Sequence, residues 1–179
     1  MVETAARRSV EFAPAPWLRA RPAATRFIFR GAPAAQAAAG TAFGVALPSE
    51  ACRAATNGSR AALWLGPDEY LLLAPDGEEA AIASAITREI GGQPYSLVDI
   101  SHRQVAFEVT GPHAEGLLAA QCPLPLDATA FPVGMCTRTI FAKAEVVLWR
   151  TAPETFHVEV WRSFSRYTVE LLAEIARET

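Results

Sequence analysis

Several features that would point to a particular function are scarce in this sequence of 179 residues. The net charge is −3 at pH 7 and Lys143 is the single lysine, so no basic surplus favours nucleic-acid binding. A lone lysine is also weak support for Schiff-base chemistry. No apolar run approaches the roughly 20 residues that a membrane-spanning helix needs. We therefore expect a cytoplasmic protein whose partners include neither nucleic acid nor membrane.

Metal and cofactor motifs are equally scarce. The three cysteines are odd in number and lack a metal-binding spacing such as C-x-x-C, which predicts reduced thiols at Cys52, Cys122 and Cys136. The three histidines are too scattered in the sequence to suggest a metal triad. The chain contains no glycine-rich fingerprint for a dinucleotide or a phosphate. We expect no metal and no cofactor bound by this chain.

The sequence divides into an arm and two similar halves. Residues 1–25 lack periodicity and are rich in proline, alanine and arginine, which predicts an extended N-terminal arm with Trp17 in its apolar anchor. Each half, 26–95 and 96–179, runs through a strand, a helix, a hairpin with an early tryptophan and an amphipathic helix. This repeat predicts an α+β fold in which the halves form one compact unit with pseudo-twofold symmetry.

Turn residues and periodicity locate the hairpins and the closing helices. The segments 66–69 and 152–154 are rich in turn formers and separate apolar strands. The first closing helix begins at Glu78-Glu79, and Gly91-Gly92 stops it. The helix that ends the chain is expected to turn four side chains inward: Phe164, Leu171, Leu172 and Ile175.

The most concentrated polar cluster is Asp99-Ile100-Ser101-His102-Arg103, which leads into an alternating strand. A carboxylate, a hydroxyl and an imidazole this close together could orient a ligand or transfer a proton. Alternatively, Asp99 and Ser101 bond the backbone where the strand begins, and His102 and Arg103 lie at the surface or at a subunit contact. We favour this second interpretation and predict no catalytic residue.

The order Asp99-Ile100-Ser101-His102, followed by Val109-x-Gly111-x-x-Ala114, resembles the D-h-S-H … v-x-G-x-x-A signature of the folate-binding aminomethyltransferase superfamily. The fold expected from this resemblance is that of the folate-binding domain of aminomethyltransferases. Four segments are more specifically similar to the gamma subunits of heterotetrameric sarcosine oxidases: 64–73, 131–141, 148–150 and 156–163. The resemblance covers nearly the whole chain after the arm.

The resemblance implies a non-catalytic gamma subunit in a complex that demethylates sarcosine oxidatively to glycine. The implied partners are the alpha, beta and delta subunits. FAD, FMN, NAD and tetrahydrofolate would be bound by those other subunits. Because both halves contain hydrophobic strands, self-association of the isolated chain is also expected when the partners are missing.

Glu145 occupies a position that the resemblance makes informative. In the active aminomethyltransferases, an essential aspartate follows a glycine-rich turn, and it would fall on or next to Glu145. The segment 141–144 of this chain has no glycine, so the close backbone approach that glycine permits is not provided. This favours an exposed turn containing Lys143 and Glu145.

Four arginines lie at the ends of predicted strands, where a guanidinium group suits carboxylate recognition and interface pairing alike: Arg103, Arg138, Arg150 and Arg162. Interface pairing is favoured for a subunit of a complex, and Trp17 and Trp161 are candidate contacts. Two alternatives stay open. One is a free-standing folate-binding one-carbon transfer protein, with Arg103 or Arg138 near the glutamate tail of folate. The other is a scaffold without a metabolic partner.

Overall fold

A computed structural model of the protein describes residue 12 and residues 15–178. The chain divides into two compact units. The terminal unit comprises Met1–Pro22 and His102–Thr179, and the middle unit comprises Ala23–Ser101. Most of the arm predicted over 1–25, namely residues 1–11, 13 and 14, lies outside the described residues.

Ten strands and four helices follow one another along the described chain. In chain order they are β1 (Leu18–Ala20), β2 (Ala24–Gly31), α1 (Pro33–Phe43), β3 (Ala54–Asn57), β4 (Arg60–Gly66), β5 (Glu69–Pro75), α2 (Glu79–Ile90), β6 (Tyr95–Asp99), β7 (Gln104–Thr110), α3 (Ala114–Ala119), β8 (Cys136–Phe141), β9 (Ala144–Ala152), β10 (Thr155–Trp161) and α4 (Arg162–Glu178). None of the helices in this part of the chain is long and apolar enough to cross a membrane.

The middle unit is a five-stranded antiparallel sheet in the order β3-β4-β5-β2-β6, together with α1 and α2. Pro33 begins α1, where its missing N–H removes no helical hydrogen bond, and Gly44 ends it in the left-handed conformation at φ 79°. Helix α2 buries Ile82, Ile86 and Ile90 and ends before Gly91. The predicted hairpin and closing helix of the first half are confirmed.

The terminal unit repeats this arrangement. Its antiparallel sheet has the order β1-β7-β10-β9-β8, and its helices are α3 and α4. Alternation places the side chains of Phe156, Val158 and Val160 in an apolar core, in contact with residues of α3 and α4. Apart from the edge strands β6 and β1, both units run through one strand, a helix, three strands and a second helix. The α+β class is therefore confirmed, and each half has one strand more than the predicted hairpin.

The boundaries of the units differ from the predicted halves because of two edge strands. Strand β6 was expected in the second half, but it pairs with β2, with Phe27 opposite Asp99. Residues 18–20 were placed in the arm, but they form β1, which pairs with β7, with Leu18 opposite Val109, and Leu18 is buried. Periodicity marks a strand as extended without naming its hydrogen-bond partner, so the sequence did not indicate these pairings.

Helix α4 corrects one predicted core residue. The buried side chains of α4 are Ser165, Thr168, Val169 and Leu172. Leu171 and Ile175 are partly buried and also pack against the core. Phe164 was expected inside but is 39% exposed. At about 100° per residue, Phe164 lies roughly a quarter turn from the centre of the buried face.

Tyr70 of the middle unit combines full burial with a satisfied hydroxyl group. Its side chain is 1% exposed, and its hydroxyl donates to the Pro48 carbonyl at 3.0 Å. The hydroxyl also lies 3.2 Å from Oε1 of Gln36. Burial raises the pKa of Tyr70, and the negative charge of Asp68 raises this pKa further.

Replacement of Tyr70 with phenylalanine is expected to lower the free energy of unfolding by about 1 kcal/mol at pH 8, because a hydrogen bond is lost. The raised pKa favours the neutral folded phenol, and this contribution is lost as the pH rises above about 10. The stability difference between the wild type and Tyr70→Phe should therefore shrink at alkaline pH. Urea denaturation of both proteins at pH 8 and at a pH above about 10 measures this stability difference. A difference that stays constant or grows with pH would contradict the role of Tyr70.

Candidate functional site

The segment Asp99–Ser101 bonds the backbone of the middle unit. Asp99 ends β6, and its Oδ1 accepts a hydrogen bond from the Ser101 N–H at 2.8 Å. The buried Ser101 hydroxyl accepts a hydrogen bond from the Arg26 N–H at 2.9 Å. The Ile100 N–H donates to the Arg26 carbonyl, also at 2.9 Å. The prediction that Asp99 and Ser101 serve the backbone is confirmed.

His102 and Arg103 are exposed at the start of the second part of the terminal unit, as the favoured interpretation predicts. The Arg103 guanidinium lies over the Trp161 ring, with Cζ 5.0 Å from the ring centroid. A cation at this distance is attracted by the negative face of the indole. The Arg103 carbonyl accepts a hydrogen bond from the N–H of the exposed Arg162 at 2.8 Å, which ties the first residue of α4 to this segment.

Four of the predicted site residues come together at the end of β10. The indole Nε1–H of Trp161 donates to Oε1 of Glu145 at 3.3 Å, and Nε of Arg138 is 3.9 Å from the same oxygen. The pairing of Val160 with Val146 places Trp161 beside Glu145 in the sheet. With Arg103 over the ring, these contacts hold an indole that remains 38% exposed. We call Arg103, Arg138, Glu145 and Trp161 the Trp161 cluster.

The Trp161 cluster suits binding better than acid–base chemistry. The Glu145 side chain is 47% exposed, and its carboxylate is already engaged by Trp161 and Arg138. A carboxylate that accepts an indole N–H and lies beside a guanidinium in this way orients its neighbours for contact with a partner. Lys143 lies in the exposed turn, as expected, whereas Glu145 is already inside β9.

Arg150 is buried and belongs to the core of the terminal unit, which corrects its predicted place among interface or ligand residues. Its side chain is 5% exposed and lies 3.4 Å from Oε2 of Glu115. The guanidinium donates to three backbone carbonyls at 2.9–3.1 Å, those of Leu126, Phe131 and Pro153. Alternation along β9 puts Arg150 on the same face as the core residue Leu148. The prediction considered only that Arg150 lies near a strand end and did not apply this alternation.

Trp17 is an internal anchor rather than an exposed contact. It is half-buried and packs against the core of the terminal unit. Its carbonyl accepts a hydrogen bond from the Thr110 N–H at 2.8 Å, which extends the pairing of β1 with β7. The predicted apolar anchor at Trp17 is therefore present, and its stabilising contacts lie within this chain.

The sequence interpretation passed over the buried polar residues of β7 and β10. Glu159 is fully buried, and its Oε1 lies 2.9 Å from Nε2 of the nearly buried His157. Gln104 is 4% exposed, and its Oε1 has no hydrogen-bond partner among the described residues. One sequence signal could have drawn attention to His157 and Glu159. Because Phe156, Val158 and Val160 alternate along β10, the polar residues between them lie on the opposite face of the sheet. No group of His, Cys, Asp and Glu suited to a metal ion occurs in the described part of the chain.

Comparison with known proteins identifies the family. The model of the "Sarcosine oxidase, gamma subunit family" matches residues 30–178. The chain belongs to this gamma subunit family. A relative from Arthrobacter sp, "Sarcosine oxidase subunit gamma", is 35% identical over 147 residues, covering 81% of this chain and 71% of the relative. A relative of the same name from Corynebacterium sp. (strain U-96) is 33% identical over 172 residues, covering 96% and 78%.

Solved structures agree with the assignment to the gamma subunit family. A chain of "Heterotetrameric Sarcosine Oxidase from Corynebacterium sp. U-96 in complex with pyrrole 2-carboxylate" matches with a TM-score of 0.84 and 31% identity, covering 98% of this chain and 90% of that one. Aminomethyltransferase T of the glycine cleavage system from Bartonella henselae matches with a TM-score of 0.66 and 14% identity, covering 87% and 44%. The second match shows the fold alone. The resemblance to the gamma subunits that was inferred from the sequence is confirmed, and so is the expected fold.

Replacement of Arg150 with methionine is expected to lower the free energy of unfolding by about 3–5 kcal/mol, because buried carbonyls lose their donor. The matched control Glu115→Gln removes only the partly exposed ion-pair partner and should lower it by less than about 1 kcal/mol. Urea denaturation of both variants gives the comparison. Similar small losses in both would contradict the structural role and make Arg150 a candidate contact again.

Proposed function

We propose that this protein is the gamma subunit of a heterotetrameric sarcosine oxidase. In this role it supports the oxidative demethylation of sarcosine to glycine by assembling with the catalytic subunits. The observation that carries the proposal is the match to a chain of a heterotetrameric sarcosine oxidase, which extends over 98% of this chain with a TM-score of 0.84. A match of this length includes both units.

The chemistry of the candidate residues supports an assembling role. Asp99 and Ser101 are engaged by the backbone of the middle unit, and Arg150 is engaged by carbonyls in a core. Glu145 is exposed and already bound by Trp161. These groups stabilise the fold or present a surface, so in this proposal the chemistry takes place on the partners.

The proposed partners are the alpha, beta and delta subunits, and the proposed location is the cytoplasm. FAD, FMN, NAD and tetrahydrofolate are assigned to those other subunits. The Trp161 cluster does not fit tetrahydrofolate, because a pterin ring needs an enclosed apolar pocket and these side chains lie on an exposed part of the sheet. The exposed Arg103, stacked on the Trp161 ring, instead presents positive charge to a protein surface.

Co-expression tests the proposal. The larger subunits of the sarcosine oxidase are purified through a tag on one of them, with and without this chain, and sarcosine-dependent peroxide formation is measured. The chain should co-purify in equimolar amount, and its omission should lower the yield of active complex, because an assembling subunit stabilises its partners.

The isolated chain is titrated with tetrahydrofolate in parallel. Weak or no binding is expected, since the folate is assigned to another subunit. A micromolar affinity together with failure to co-purify would contradict the proposal and favour a free-standing folate-binding protein. Failure to co-purify without folate binding would also contradict it and favour a scaffold.

A further inference from the structure

The exposed apolar side chains of this protein are concentrated around one junction. Six large hydrophobic residues are exposed in the described part of the chain. Four of them lie at or near the junction of β10 with α4: Ile140, Trp161, Phe164 and Tyr167. Ile140 pairs with Glu145, which is itself beside Trp161, and the rings of Phe164 and Tyr167 meet edge to face at 6.5 Å. These four residues and the Trp161 cluster are together called the junction surface.

Trp161 is already oriented in the free chain. Its indole N–H is bound by Glu145 and its ring face is covered by the Arg103 guanidinium. A side chain fixed in this way loses little conformational freedom when a partner covers it. Tryptophan and arginine are the residues most enriched among those that dominate binding energy at protein interfaces.

The charge of the junction surface is opposite to that of the whole chain. Its positive residues are Arg103 over the Trp161 ring, Arg138 beside Glu145, and Arg162, which directly follows Trp161. Its negative residue is Glu145, whereas the whole chain has a net charge of −3. A local excess of arginine around an aromatic centre is complementary to an acidic surface with an apolar centre.

Arg103 is the positive residue of the junction surface best placed to bind a carboxylate of a partner. It is exposed, and the structure shows its side chain in contact with the Trp161 ring and in no hydrogen bond among the described residues. Stacking uses the face of a guanidinium and leaves the N–H groups at its edge able to bind a carboxylate in two parallel hydrogen bonds. A second copy of this chain would instead bring two arginine-rich surfaces together, which like-charge repulsion opposes.

We propose that the junction surface is where this chain docks on a larger subunit of the oxidase, through an acidic patch with an apolar centre on that subunit. Trp161 contributes the apolar contact, and the edge of Arg103 receives a carboxylate of the partner. The inference rests on the proposed function, since it requires that the chain assembles with larger subunits.

Competition during assembly tests the docking surface. The larger subunits, one of them tagged, are co-expressed with equal amounts of the wild-type chain and one variant, and mass spectrometry gives the ratio of the two chains in the purified complex. Trp161→Ala and Arg103→Glu should each be incorporated about tenfold less than the wild type. The matched controls are Val98→Ala, at an exposed apolar residue of β6, and Arg88→Glu, at an exposed arginine of α2, and both should stay within about twofold.

Two further measurements separate docking from misfolding. The variants should melt within a few degrees of the wild-type chain, because the substituted side chains are exposed. The deficit of Arg103→Glu should shrink when the salt concentration is raised from about 0.05 M to about 0.5 M, since salt screens charge pairs at a rim. A deficit independent of salt, accompanied by a lower melting temperature, would overturn the docking role of Arg103.

The remaining outcomes distinguish this inference from the function on which it rests. Equal incorporation of Trp161→Ala and the wild type, or equal losses in the Val98 and Arg88 controls, would overturn the docking surface and leave the assembly intact. Absence of the wild-type chain from the complex would overturn the proposed function itself. Dimerisation of the free wild-type chain that Trp161→Ala abolishes would overturn the inference in favour of self-association.

Discussion

The antiparallel pairing of β10 with both β7 and β9 fixes the features of the terminal unit that matter for function. Because side chains alternate along β10, Phe156, Val158 and Val160 enter the core, and Trp161 comes to the other face at the end of the strand. The register with β9 then places Glu145 beside Trp161. A shift of one residue in this pairing would bury the indole and expose the core valines.

The sequence predicted those parts of the fold that local signals determine. The turns at 66–69 and 152–154 and the isoleucine face of α2 depend on residues close together in the chain, and the structure has them in place. The partners of β1 and β6 depend on long-range hydrogen bonding, so the local sequence did not indicate them. Phe164 was predicted to be buried but is exposed. It lies at the edge of the apolar face of α4, and amphipathic periodicity alone did not show whether the core would include that edge.

The candidate site was predicted residue by residue with a mixed outcome. Arg103, Arg138, Glu145 and Trp161 were named individually, but only the strand register shows that they lie together. Arg150 was predicted as an interface or ligand residue from its place at a strand end, yet it is buried and a set of backbone carbonyls compensates its burial. Glu159 was missed because a buried carboxylate between valines is indistinguishable in sequence from one on a solvated face.

The match to aminomethyltransferase T shows that 87% of this chain has the same fold as part of that enzyme. A shared fold does not show a shared activity. In this chain, the segment that begins at Asp99 bonds the backbone of the middle unit. Glu145, on or next to which the aspartate of the active aminomethyltransferases was expected to fall, orients an exposed tryptophan here. We infer that side chains of this fold serve assembly here, with Trp161 at the contact.

Hydrogen–deuterium exchange tests this inference most directly. Backbone exchange is compared between the isolated chain and the chain in the complete oxidase complex. Docking through the junction surface predicts that slower exchange in the complex is concentrated in residues 136–145 and 158–168, where the backbone around Ile140, Glu145, Trp161 and Phe164 becomes shielded. Slower exchange confined to the middle unit, with residues 158–168 unchanged, would contradict it.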